Sequence, residues 1–205
     1  VDLAPGLDRK FDVRAHPHVG LSTVSYLFSG EIMHRDSLGY EQPIRPRQVN
    51  WMTAGSGITH SERFEHARAV GGRLHGIQAW VALPEEFEET APSFTHYAGT
   101  NLPHWNDGGV AGHLIAGSAY GLTAGAKTHS PLFYAHLEMD LGAVAEVPDK
   151  YDERALYIAA GAIEMHGTRY EAGQMLVLGA GASHFRAKTH STVMVLGGGP
   201  IGVLG

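Results

Sequence analysis

The chain has 205 residues, room for one large domain or two small ones, and its 43% apolar and 18% charged residues are the balance of a folded protein with a core. A formal net charge of −6 argues against direct nucleic-acid binding, which needs a phosphate-neutralising basic surface. There is no cysteine, which excludes disulfides and thiolate metal sites, and no apolar run reaches the ~20 residues of a membrane span, so a cytoplasmic setting without membrane contact is expected.

Glycine occurs 27 times between short apolar runs, which points to many tight turns and short strands. Val24-Ser25-Tyr26-Leu27-Phe28 is a β-rich run, and Ser29-Gly30 reads as a hairpin turn before Glu31-Ile32-Met33-His34. Ser37-Leu38-Gly39 is a second turn, and Asp36-Ser37 reads as its cap. Strands follow at Gln48 to Met52 and Leu74 to Val81, with no sustained helical period up to that point. Pro84 to about Asn106 is acidic and interrupted by prolines, which reads as a connector holding at most a short helix. Strands resume at Gly112 to Ala116, Leu132 to Glu138, Ala155 to Ala159, Ala162 to His166, Gln174 to Leu178 and Thr192 to Leu196.

The two halves echo each other. Ser29 to His34 parallels Ala160 to His166, and Arg45 to Val49 parallels Glu171 to Met175. Two copies of one β domain of jelly-roll or barrel type are therefore expected.

Histidine occurs 14 times, so position must separate ligands from ordinary residues. His16-Pro17-His18 places two imidazoles two residues apart, on one side of a strand. Taken alone, the pair is equally well read as two exposed histidines flanking a kink. His60-Ser61-Glu62 repeats the spacing and adds a carboxylate. Three imidazoles and one glutamate suit a divalent ion of intermediate hardness and leave coordination positions open.

The spacing of His16, His18, Thr23 and Gly30 resembles the cupin signature, with threonine where its glutamate belongs. The carboxylate appears instead at Glu62, and that rearrangement resembles the pirin family. So do the strings His16 to Gly20, His34 to Ser37, Trp51 to Glu62, Leu74 to Val81 and Ser130-Pro131-Leu132, within a likeness running from about Phe11 to about Ile201. Asn50 departs from the family pattern, which has glutamine beside the tryptophan, and the chain is shorter at both ends than the family's usual length.

The resemblance implies an all-β protein of two cupin (jelly-roll β-barrel) domains in tandem. The expected division is a metal-binding cupin with connector over 1–110 and a metal-free cupin over 111–205. In the second, the positions matching the ligands are Val147, Asp149 and Phe185, with His184 one residue out of register. The resemblance implies one divalent metal held by His16, His18, His60 and Glu62: iron(II) first, with manganese, nickel, copper, zinc or cobalt as alternatives. Met33, His34, Trp51, Met52 and His75 are candidates for an apolar substrate pocket, although each singly reads as barrel filling, and His75 also as a residue orienting a ligand.

Family likeness also supplies the expected activity. It is a quercetin 2,3-dioxygenase-like reaction on a flavonol or related aromatic or enolic substrate with dioxygen, Glu62 taking the substrate proton. The alternative is a non-enzymatic, metal-dependent regulator that binds a protein partner, either a transcription cofactor or a metabolic enzyme.

Overall fold

A computed structural model describes residues 1–181 and 183–202. The chain forms two compact units, Val1–Asn101 and Leu102–Gly205, each built as a cupin-like pair of antiparallel sheets. Among the described residues the one α-helix is Glu65–Val70, six residues long and too short to show a period in the sequence.

In the first unit, one sheet runs Val13–His18, Ile58–Arg63, Ile32–Asp36, Glu41–Ile44. The other runs Ser93–Tyr97, Val49–Thr53, Leu21–Ser29, His75–Ala82. Leu21–Ser29 and Ile32–Asp36 thus lie in different sheets, which corrects the hairpin expected at Ser29-Gly30. The chain turns a corner there instead. Gly30 has φ 89°, and a Cβ on it would stand 2.8 Å from the Arg73 carbonyl oxygen. Gly161, with φ 78°, turns the equivalent corner in the second unit, between Glu153–Ala160 and Ala162–Met165. The sequence echo is therefore an echo of corners.

The proline-rich connector holds more structure than its composition announces. Ser93–Tyr97 is an edge strand paired with Val49–Thr53, and Glu85–Phe87 is a 3₁₀ turn. His104–Asp107 pairs with Val110–Ala119 and opens the second unit. The division therefore falls at Asn101–Leu102, ahead of the 110–111 expected from the sequence.

The second unit has a large sheet ordered His104–Asp107, Val110–Ala119, Leu132–Met139, Ser191–Gly198, Glu153–Ala160, Met175–Leu178. Its smaller sheet runs Val144–Val147, Ser183–Ala187, Ala162–Met165, Thr168–Glu171. Val147 and Phe185 are fully buried in one apolar cluster with Leu137, Ile163 and Val193. His184 lies on the opposite, exposed face, 3.8 Å from Glu146. Hydrocarbon thus fills the interior where the matching strands of the first unit carry histidine.

Gly117 is the tightest backbone contact in this unit. Its φ is 72°, and a Cβ would fall 1.8 Å from the Leu132 carbonyl oxygen, inside the ladder that pairs Gly117 with Phe133. Gly117→Ala must therefore strain φ and push two central strands apart. A loss of about 2–4 kcal/mol is expected, read as a lowered denaturant midpoint. An unchanged midpoint would mean that the ladder at this point is loose.

Candidate metal centre

Strand register assembles the site. Val13–His18 pairs with Ile58–Arg63 so that His16 lies opposite His60, and a one-residue bulge at Arg14-Ala15 brings Val13 opposite Glu62. On the other side, Ile32–Asp36 pairs His34 with Glu62 and Asp36 with His60. Paired residues share a face, so His16, His18, His60, Glu62, His34 and Asp36 all point into the first barrel.

Three of these converge. Ring nitrogens of His16, His18 and His60 lie within 4.8 Å of one another, and the Nε2 of His60 is 3.1 Å from the Nε2 of both His16 and His18. Hydrogen bonding does not explain the approach of His16 to His60. The Arg14 carbonyl oxygen lies 2.8 Å from His16 Nδ1 and can only accept, so Nδ1 carries the hydrogen and Nε2 presents its lone pair. Asp36 Oδ2 lies 2.9 Å from His34 Nε2, and His34 Nδ1 lies 3.3 Å from His60 Nδ1. An ionised Asp36 accepts from His34, which accepts from His60, and His60 Nε2 also presents a lone pair.

Two lone pairs facing each other at this distance repel unless a cation lies between them. Donors about 2.1 Å from one first-row ion, at right angles, stand about 3 Å apart, which matches the observed spacing. The three histidines therefore fit one face of a divalent metal.

Burial and crowding favour the neutral form of His60 and His18, the form that binds metal. His60 is pushed down to about 3, first by burial and then by the neighbouring His34, His16 and His18, with Asp36 opposing. His18 is lowered by burial and then by His16. In metal-free protein the unfolded chain gains protons near the ordinary histidine value of 6.5, while folded His60 resists until about 3. The stability supplied by neutral His60 is thus present above 6.5 and lost as pH falls from there towards 3. Denaturant midpoints of chelator-treated protein should drop across this window, and those of His60→Ala should drop less. Equal slopes would show that His60 titrates normally.

The Glu62 carboxylate lies outside the group of ring nitrogens that are within 4.8 Å of one another. Gln78 Nε2 donates to Glu62 Oε1 at 2.8 Å and to Ser25 Oγ at 2.9 Å, which holds the carboxylate. Among the described residues, Glu62 Oε2 has no hydrogen-bond partner. Burial raises the Glu62 carboxyl above its ordinary value, more than the Gln78 bond and the His34 and His16 charges lower it. A pocket of about 200 Å³ opens at this carboxylate, lined by Ser25, Gln78 and the apolar Leu27, Ile32, Phe64, Leu74 and Ile77.

The expected pocket residues divide between the two faces of their strands. His34 is buried inside the barrel, where it orients His60 and stacks on Phe94, with centroids 4.4 Å apart. Met52 is also inside, packed with Ala54, Ile58 and Phe94. Met33 and Trp51 alternate with these onto the opposite faces, and Trp51 Nε1 donates to Thr53 Oγ1. His75 packs its ring on Phe28, also away from the metal face.

Gln78 and Trp80 occupy the interior parity of His75–Ala82 instead. Trp80 is 66% exposed and meets His18 edge-on at 5.3 Å, which places it at the rim of the site. Asp36 caps its turn as expected, accepting from the Leu38 and Tyr40 N–H groups, and also anchors His34.

Comparison with known proteins agrees with this geometry. The Pirin family model matches residues 3–81, and the Pirin C-terminal cupin domain model matches residues 134–204. A pirin-like protein of Caulobacter vibrioides is 55% identical over 200 residues, covering 97% of this chain and 69% of that protein. A putative quercetin 2,3-dioxygenase of Pseudomonas aeruginosa is 38% identical over 193 residues, covering 93% of this chain and 60% of that protein. The crystal structure of a quercetin 2,3-dioxygenase from Acinetobacter baumannii superimposes with a TM-score of 0.88 at 32% identity, over 98% of this chain and 66% of that one. With both halves matched in order, and three histidines converging in the first cupin alone among the described residues, the chain belongs to the pirin family of two-cupin proteins.

Proposed function

We propose that the chain is a metal-dependent dioxygenase acting on a flavonol or a related enolic aromatic compound. The observation that carries this reading is the Glu62 carboxylate, which shares the interior face of its strand with His60 and also lines an apolar pocket. A first-row divalent ion, iron(II) above all, supplies a Lewis acid and open positions for substrate and dioxygen.

The chain's own residues do the rest. Leu27, Ile32, Phe64, Leu74 and Ile77 hold an aromatic ring by burial and keep water from it. Glu62 Oε2 accepts the proton of the substrate hydroxyl. Gln78, anchored on Ser25, fixes the other oxygen so that the acceptor is aimed. His34 and Asp36 hold His60 in its ligating tautomer.

The test is oxygen uptake by anaerobically purified, iron-loaded protein with a panel of flavonols and enediols. No uptake with any of them would overturn the reading. Gln78→Leu isolates the aiming role: turnover should fall about 10–100-fold with metal content unchanged. Unchanged turnover would mean that Glu62 needs no support.

A further inference from the structure

The reverse face of the sheet that carries the three histidines holds a second concave site. Residues from five elements converge on it: Arg9 from a 3₁₀ turn, Arg14, Arg35 and Arg63 from three strands, and Arg68 from the helix Glu65–Val70. These are five of the chain's 15 Lys and Arg residues, gathered at one groove in a protein of net charge −6. The groove measures about 770 Å³, the size range of a metabolite site.

Its charges do not balance internally. Arg35 is neutralised by Glu65 and Glu41, each at 2.7 Å. Arg63 and Arg68 share one carboxylate, Asp12, at 3.7 and 2.7 Å. Asp12 is itself almost fully buried and accepts the Phe64 N–H, so the two guanidiniums are anchored to the fold. Among the described residues, no carboxylate pairs with Arg9 or Arg14. Five guanidinium groups thus face three carboxylates.

We propose that this groove binds a small polyanion, a metabolite carrying two or more phosphate or carboxylate groups. Guanidinium forks match those oxyanions bidentately, and they converge here from several directions. A duplex or a membrane is met by an extended basic surface, whereas this charge lines one bounded depression. Arg35 and Arg63 alternate along their strands with His34 and Glu62, so the anion would sit across one sheet from the metal centre.

The test is isothermal titration of the metal-loaded full chain with fructose 1,6-bisphosphate, a bisphosphate that chelates metal weakly, at physiological ionic strength. Saturable binding at one site per chain is expected. Arg9→Ala/Arg14→Ala should weaken it about 10-fold or more, since charge-assisted hydrogen bonds are lost. Among the described residues neither side chain pairs with another, so the double variant should keep the wild-type melting temperature. Lys150→Ala, an exposed change in the second unit, should leave binding unaltered. No saturable binding, equal affinity in the double variant, or equal weakening by Lys150→Ala would each overturn the site. Capture on phosphatidylserine vesicles without bisphosphate binding would overturn it in favour of a membrane surface.

Discussion

His60→Ala should abolish tight metal binding and leave the chain folded. His60 is the hub of the cluster, with its Nε2 3.1 Å from the Nε2 of both other histidines. Its removal takes away one ligand and also ends the relay from Asp36 through His34. Loss of an orienting partner alone costs about 10–100-fold in affinity, and loss of the ligand itself should exceed that. The fold does not depend on this ring. Strand pairing surrounds it on both sides, and Met52, Ala54, Ile58 and Phe94 form a separate apolar cluster in the same barrel. Deleting a buried imidazole leaves a void, for which a cost of about 1–3 kcal/mol is expected. Metal analysis after dialysis, alongside a denaturant melt, reads both quantities. Stoichiometric metal in the variant would exclude His60 as a ligand. Wild type that unfolded on adding chelator would show a structural metal and weaken the enzyme reading sharply.

The histidine cluster was legible because its information is local. Residues two apart on a strand share a face, so His16 with His18 and His60 with Glu62 could each be grouped before any pairing was known, and the family resemblance implied that the two pairs meet. What could not be read was the pairing itself. On His75–Ala82 the odd positions carry the apolar residues Ile77, Ala79 and Val81, and a simple alternation rule turns those inward. The structure turns Gln78 towards Glu62 and Trp80 towards His18 instead, because an open site tolerates polar and exposed groups on its interior face. Alternation alone therefore did not place His75, and Gln78 carried no local signal of its role.

The corner at Gly30 illustrates a second limit. A glycine with positive φ between two β runs signals a sharp turn, but does not say whether the runs then pair with each other or enter different sheets. Ser93–Tyr97 was hidden for a third reason. It is a short edge strand beside prolines, held by its partner Val49–Thr53 more than by its own residues. The apolar interior of the second cupin was readable from Val147 and Phe185, because there the absent ligand type was itself the signal.

Glu62→Gln should separate catalysis from metal binding more cleanly than any other change in the chain. The substitution keeps shape and an oxygen that can still accept from Gln78 or approach the metal, but removes the ionised proton acceptor. Metal content should fall modestly, since the three imidazoles converge without the carboxylate. Turnover should fall about 10²–10⁴-fold, the span of a general base. The pH profile adds an independent readout. Burial raises the Glu62 carboxyl in the metal-free chain, whereas a divalent ion beside it favours the ionised form, so the acidic limb of the wild-type turnover profile should move to lower pH than the titration of Glu62 in metal-free protein. That limb should vanish from whatever activity the variant retains. A variant that matches wild-type turnover but shows altered metal affinity or redox behaviour would reduce Glu62 to tuning the ion. The pocket beside it would then need another proton acceptor, and among its lining side chains only Ser25 and Gln78 are polar besides Glu62. Neither is a base near neutral pH, so the substrate would then have to lose its proton before it reached the pocket.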